Sequence, residues 1–132
     1  MSDLQAAGLM PFAALIGIET VRADGEEVRL RLPWTAELCT TGGIMHGGAL
    51  MALADTAGGL LASLHLPEGA AGTTTTDSGT RFVSALREGH AEAVARVLHK
   101  GRTLIVIDTE VRDAGGRLVA RTSQSQLVLV PR

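Results

Sequence analysis

The sequence predicts an α+β domain in which one long helix lies against an antiparallel sheet. Three observations point there. Residues 47–66 are apolar or small almost throughout, and their central part carries one charge, Asp55. The segments after them read as four strands in succession with no helix between, a pattern that a doubly wound parallel sheet does not produce. Ahead of them, Val28, Leu30 and Leu32 alternate with Arg29 and Arg31, the period of a half-buried strand.

Residues 4–15 read as a short helix interrupted by Pro11. A turn at Asp24-Gly25 separates strands over 18–23 and 27–32, and Pro33 is expected to end the second. Residues 34–46 form a loop. The central helix is expected from Gly47 to about Leu64, buried on all but a narrow side. Its length invites a membrane reading, since ~20 residues cross a bilayer. A central carboxylate, four glycines and the lack of basic flanks argue against it. Gly58 and Gly59 each cost roughly 1 kcal/mol relative to alanine, which a closely packed partner offsets. Pro67-Glu68-Gly69 marks a turn, followed by strands over 73–83, 91–99, 103–112 and 118–130, with a hairpin turn at residues 113–116.

The 132 residues, 45% of them hydrophobic and 20% charged, suit a single domain over 1–132 with its own core. Aromatics are reduced to Phe12, Trp34 and Phe82 against 16 glycines, so helix and sheet are expected to meet through small residues. Twelve basic against 14 acidic residues leave a formal charge of −2 and no field for nucleic acid or an anionic membrane. Cys39 is the single cysteine, which excludes an internal disulfide and a multi-cysteine zinc site. With no basic stretch at the start, no secretory signal is expected, and the location expected is the cytoplasm.

Asp55 demands an explanation, because a carboxylate in an apolar helix is expensive unless it is hydrogen-bonded, paired or functional. His46 and Gly47 stand at the start of the same helix, where backbone N–H groups are unpaired and the helix end is positive. A ligand carbonyl placed at Gly47 would be polarised there, with no side chain to block it. Eight residues of helix rise ~12 Å, so one helix does not put Gly47 and Asp55 on the same reacting group. A second subunit with an antiparallel helix would, and this geometry favours an obligate dimer. His46 either braces the loop or touches the substrate. It has no HxxxH or HxH companion, so no metal site is expected. Neither a phosphate loop nor a GxSxG serine motif is present.

The segment GGIMHGGALMALADTAGGLLAS resembles the central helix motif of hotdog-fold acyl-CoA thioesterases, in particular the PaaI-like (phenylacetic acid degradation) group. The later segment HKGRTLIVIDTEVRDAGGRLVARTSQSQLVLV is similar to the last three strands of that family, and the resemblance covers roughly residues 15–130. It implies a hotdog fold, a curled antiparallel sheet wrapped around the helix. It also implies active sites at a homodimer interface, with dimers pairing into tetramers. Carried over by position, Gly47 supplies the N–H that polarises the thioester carbonyl, with His46 beside it. Asp55 from the opposite subunit attacks or activates water, with the Thr75 hydroxyl near that water. Thr40 replaces the Asn or Gln that relatives often carry six residues before the histidine, and Gly59 replaces a hydroxyl residue one turn after the carboxylate.

The implied activity is hydrolysis of acyl-CoA thioesters, with an aromatic or short- to medium-chain acyl group, and no cofactor beyond the coenzyme A of the substrate. Desolvation in the apolar helix is expected to make Asp55 more basic. Gly48, Gly59 and Phe82 are expected to line the substrate site, with Ala54 and Gly58 leaving room for the acyl group. The turn His99-Lys100-Gly101-Arg102, the densest basic cluster, either is simply solvated or meets the phosphates of coenzyme A. Two other readings stay open: a non-catalytic acyl-CoA-binding hotdog protein, and a hydratase or dehydratase of the same fold.

Overall fold

A computed structural model describes residues 4–132; the first three residues of the expected domain lie outside the described residues. The chain runs α1 (Ala6–Leu9), α2 (Pro11–Ile16), β1 (Glu19–Ala23), β2 (Val28–Pro33), α3 (Gly47–Ser63), β3 (Gly72–Phe82), β4 (His90–Lys100), β5 (Leu104–Asp113) and β6 (Leu118–Leu129). The six strands form one antiparallel sheet in the order β1-β2-β4-β5-β6-β3, curled around α3. This is the α+β, hotdog-type arrangement that the resemblance implied.

Local chemistry accounts for the element ends. Pro11 divides the N-terminal helix because its ring suits a first helical position, where no N–H is required, and Gly17 closes α2 in the left-handed region at φ 91°. Pro33 lies inside β2 rather than beyond it, opposite His90, as its last residue. The loop before α3 is more ordered than expected: 3-10 turns occupy Ala36–Leu38 and Thr41–Gly43, and Cys39 pairs with Met45 across an isolated bridge.

The core forms where α3 meets the inner face of the sheet. Leu50, Leu53, Ala57, Leu60 and Leu61 of α3 are buried, and so are Ala91, Ala93 and Ala95 along β4 and Ile105 and Ile107 on β5. Alanines on both surfaces bring the helix close to the sheet, so a chain nearly without aromatics still closes its interior. On the outer face, Glu27 is 4% exposed and binds Arg29 at 2.9 Å, Arg96 at 2.6 Å and Arg22 at 3.4 Å. Burial pushes its carboxyl up. The hydrogen bond from Arg29 and the charges of Arg29, Arg96 and Arg22 outweigh that and hold it below the usual range. This cluster pins β1, β2 and β4 together.

The HGG triplet sets the start of α3. His46 is the N-cap, and its Nδ1 accepts the Gly48 N–H at 2.8 Å. A Cβ on Gly48 would lie 2.9 Å from that nitrogen, so the cap requires glycine there. A Cβ on Gly47 would lie 3.1 Å from the Phe82 ring, which packs over the helix end. Replacing His46 with leucine removes an N-cap, a loss of about 1 kcal/mol, whereas asparagine can cap in its place. Thermal melts should therefore show a drop of ~3–5 °C for His46→Leu and little change for His46→Asn. Equal melts for the two variants would mean that the cap is not what His46 contributes.

Candidate active site

Position 55 leaves the core although its helix is apolar. Gly48, Met51 and Asp55 follow one another at helical spacing and are exposed, in contrast to the buried Leu53, Ala54, Thr56 and Ala57 around them. The expected desolvation of Asp55 is therefore not met within the single chain. Its Oδ1 accepts a hydrogen bond from Gln124 Nε2 at 3.1 Å and a longer one from Thr75 Oγ1 at 3.4 Å. Gln126 Nε2 donates to that same Thr75 hydroxyl at 2.6 Å. Among the described residues Oδ2 has no hydrogen-bond partner. An open cavity of about 460 Å³ lies over the carboxylate, lined by Asp55, Gly59, Thr75 and Gln126, by Met10 between α1 and α2, and by Phe12 of α2.

A second group of residues gathers at the start of α3. Thr40, Gly47, Leu50 and Phe82 line a separate cavity of about 370 Å³. The hydrogen bonds of the first turn serve Gly48, Ala49 and Leu50, so the Gly47 N–H has no acceptor among the described residues. His46 and Gly48 open on the other side, into a cavity of about 240 Å³ with Phe12 and Cys39. His46 has already committed Nδ1 to the cap, which leaves only its Nε2 edge for a ligand. The chain thus offers a carboxylate with one oxygen held, and an unpaired donor at a positive helix end. These are the components of base and oxyanion stabiliser, opening into different cavities.

Of the sequence-predicted residues, Asp55, Thr75 and Gly59 come together, Thr40, Gly47 and Phe82 come together, and His46 and Gly48 come together. Within one chain Phe82 lies in a different pocket from Asp55, because seven residues of β3 from Thr75 to Phe82 span about 20 Å. Two expectations are corrected. Ala54 is fully buried and lines no acyl space. Gly58 makes room for protein: a Cβ there would lie 1.4 Å from Gln124 Oε1, whereas Gly59 has nothing within 4 Å. The basic turn after β4 lines none of these cavities. Val128 N–H donates to Thr103 O at 2.8 Å, and Val128 pairs with Thr73. Thr103, at the β5 end of the turn, therefore stands two strand spacings, about 10 Å, from the β3 end of the Asp55 cavity, and His99 and Lys100 on β4 stand one spacing further away.

The sequence reading missed Gln124 and Gln126. Both are 1% exposed, in phase with Ala120, Thr122 and Val128 on the inner face of β6. Two buried amides in the phase of the core were the available signal. Among the described residues, no group of three His, Cys, Asp or Glu is placed to hold a metal ion, and no helix is long and apolar enough to cross a membrane.

Comparison with known proteins supplies the family. A sequence profile for the thioesterase superfamily matches residues 42–120, which include the start of α3, Asp55 and Thr75. The chain is 29% identical over 114 residues to SSO2140 of Saccharolobus solfataricus, a provisionally named esterase, covering 86% of this chain and 80% of that one. Among solved structures, conserved protein PA5202 of Pseudomonas aeruginosa superposes with a TM-score of 0.81 at 36% identity, over 89% of this chain and 93% of the other. A glutamine-to-alanine variant of thioesterase PA1618 from the same species gives a TM-score of 0.87 at 25% identity, over 94% and 89% of the two chains. With the profile spanning more than half of the chain and the fold shared over about nine-tenths of it, the protein belongs to the thioesterase superfamily and is built for thioester hydrolysis.

Proposed function

We propose that the protein hydrolyses acyl-CoA thioesters carrying an aromatic or short- to medium-chain acyl group, releasing the free acid and coenzyme A, in the cytoplasm and without a cofactor. It works as a homodimer, with dimers pairing into tetramers, and each active site joins Gly47 of one protomer to Asp55 of the other. One observation carries the reading: a single chain holds an unpaired Gly47 N–H and a half-satisfied Asp55 carboxylate that open into separate cavities. Strand β3, which provides Thr75, is an edge strand with one side unpaired, so a second sheet can add there.

In the reaction the thioester carbonyl oxygen receives the Gly47 N–H, which stabilises the negative charge that develops as the carbonyl is attacked. One such donor contributes roughly 3 kcal/mol. Asp55 Oδ2 either takes a proton from water as the water oxygen bonds the carbonyl carbon, or attacks that carbon to form an anhydride that water then opens. In both routes the C–S bond breaks, and the thiolate leaves and is protonated. Thr40, His46, Gly48, Gly59 and Phe82 border the acyl and thioester portions. His99, Lys100, Gly101 and Arg102 form a basic turn on the β4 side of Thr103, two to three strand spacings or about 10–15 Å from the Asp55 cavity, a reach that suits the phosphates at the far end of coenzyme A.

Three measurements test this reading. With acyl-CoA substrates and a thiol reagent, Asp55→Asn should lower kcat by ~10²–10⁴-fold with little change in KM and an unchanged melt. Retention of most activity would remove Asp55 from the mechanism. If the parent releases no thiol from any acyl-CoA yet binds them tightly, the protein is a binding module; addition of water to an enoyl-CoA would make it a hydratase.

Subunit mixing tests the shared site. Gly47→Pro removes an unbonded N–H at a position that accepts proline, and His46 at φ −59°, ψ 135° already suits a residue before proline; the added ring requires the exposed Phe82 side chain to shift, so a melt of the variant accompanies the assay. Each single variant should be inactive alone, while refolding Gly47→Pro with Asp55→Asn should restore about a quarter of parental activity, one intact site in half of the dimers. No recovery would place the whole site within one chain.

Replacing Arg102 with alanine should raise KM for acyl-CoA and leave kcat nearly unchanged, because a contact far from the carbonyl acts equally on ground and transition states. The difference should shrink at high salt. A loss confined to kcat would refute the phosphate role.

A further inference from the structure

The mechanism above uses one oxygen of Asp55, and the structure shows what occupies the other. Gln124 enters from β6, 1% exposed, and its Nε2 donates to Asp55 Oδ1 at 3.1 Å. Its Oε1 is buried with no hydrogen-bond partner, aimed at the backbone of Gly58. An orphaned buried carbonyl is an expensive arrangement. Turning the amide over would exchange its ends and set Oε1 against the carboxylate, an acceptor facing an acceptor. The arrangement present therefore leaves one amide atom unsatisfied and keeps an N–H on Asp55.

Gln126 does the same one step removed. It lies two residues further along the same face of β6, 1% exposed, and donates to Thr75 Oγ1 at 2.6 Å. A hydroxyl that accepts from an amide still has its own proton to give, and the next acceptor along is Asp55 Oδ1 at 3.4 Å. Both donors converge on Oδ1, and neither touches Oδ2. Gly58 is part of this device, because a side chain on it would occupy the space that the Gln124 amide fills.

We propose that Gln124, and Gln126 acting through Thr75, are positioning residues that hold Asp55 by Oδ1 and leave Oδ2 as its working oxygen. The inference rests on the role proposed above for Asp55. It adds a division of labour within the carboxylate and assigns two buried amides on β6 to the site. Gln124 lines none of the three cavities, and Gln126, 1% exposed at the wall of the Asp55 cavity, has its amide N–H on Thr75; both act on the orientation of the carboxylate.

The test is a double-mutant cycle on the full-length protein with the best acyl-CoA substrate. Gln124→Met keeps the length of the side chain and removes its donor. It should lower kcat about tenfold, leave KM within about twofold, and melt close to the parent. In the Asp55→Asn background the same substitution should change kcat by less than about twofold, because its effect passes through the carboxylate. An equal loss in both backgrounds, or none in the parent, would overturn the proposal. If Gln124→Met fails to fold, Gln126→Met carries the same cycle with the same expected and refuting outcomes. Activity surviving Asp55→Asn by itself would refute the hydrolytic role of Asp55. Full loss with Asp55→Asn, combined with additive glutamine effects, would refute only the positioning.

Discussion

Taking α3 out of water is the constraint to which the rest of the structure answers. Seventeen residues carry a single charge, and most of their circumference is buried against an inner sheet face whose nearest strand presents Ala91, Ala93 and Ala95. Burying a leucine side chain stabilises the fold by about 1.5–3 kcal/mol, and α3 contributes Leu50, Leu53, Leu60 and Leu61. Small residues let helix and sheet approach, so the core closes with two phenylalanines and one tryptophan in the whole chain, both phenylalanines exposed. Polar groups on such a helix can reach ligands only where burial lapses, at its first turn and along the stripe that runs through Asp55 to Gly59 and Ser63.

The four glycines of α3 follow from the same constraint, each for its own reason. Gly48 makes way for the capping imidazole of His46, Gly47 for the ring of Phe82, and Gly58 for the amide of Gln124, while Gly59 borders open space beside Asp55. The HGG triplet is thus a structural device before it is a chemical one. By taking a side-chain cap at Gly48 it leaves the Gly47 N–H as the donor without a partner.

Strand β3 joins the two halves of the argument. Its inner-face residue Thr75 reaches Asp55, its last residue Phe82 packs on Gly47, and its outer edge is unpaired. The strand is too long for these ends to meet the same reacting carbonyl within one chain. In the proposed dimer the antiparallel approach of a second copy brings the far end of one β3 beside the near end of the other. In that proposal oligomerisation serves the chemistry as well as covering the edge.

Periodicity and local turn chemistry were written in the chain. The alternation of Val28, Leu30 and Leu32 marked β2, the uncharged run marked α3, and Asp113 with its glycines marked the last hairpin, where its Oδ1 accepts the N–H groups of Gly115 and Arg117. The residues His46, Gly47 and Asp55 were legible because a helix start and a lone carboxylate are properties of neighbouring residues. Register was not. The meeting of Gln124 with Asp55, 69 residues apart, depends on where β6 lies beside β3 and how closely α3 approaches both. The same geometry filled the space above Gly58, left Asp55 exposed and carried Phe82 away from it. Sequence settled the local periods because backbone sterics act over a few residues; the pairing of the site was decided by tertiary packing, where side chains meet across strands that local sequence does not align.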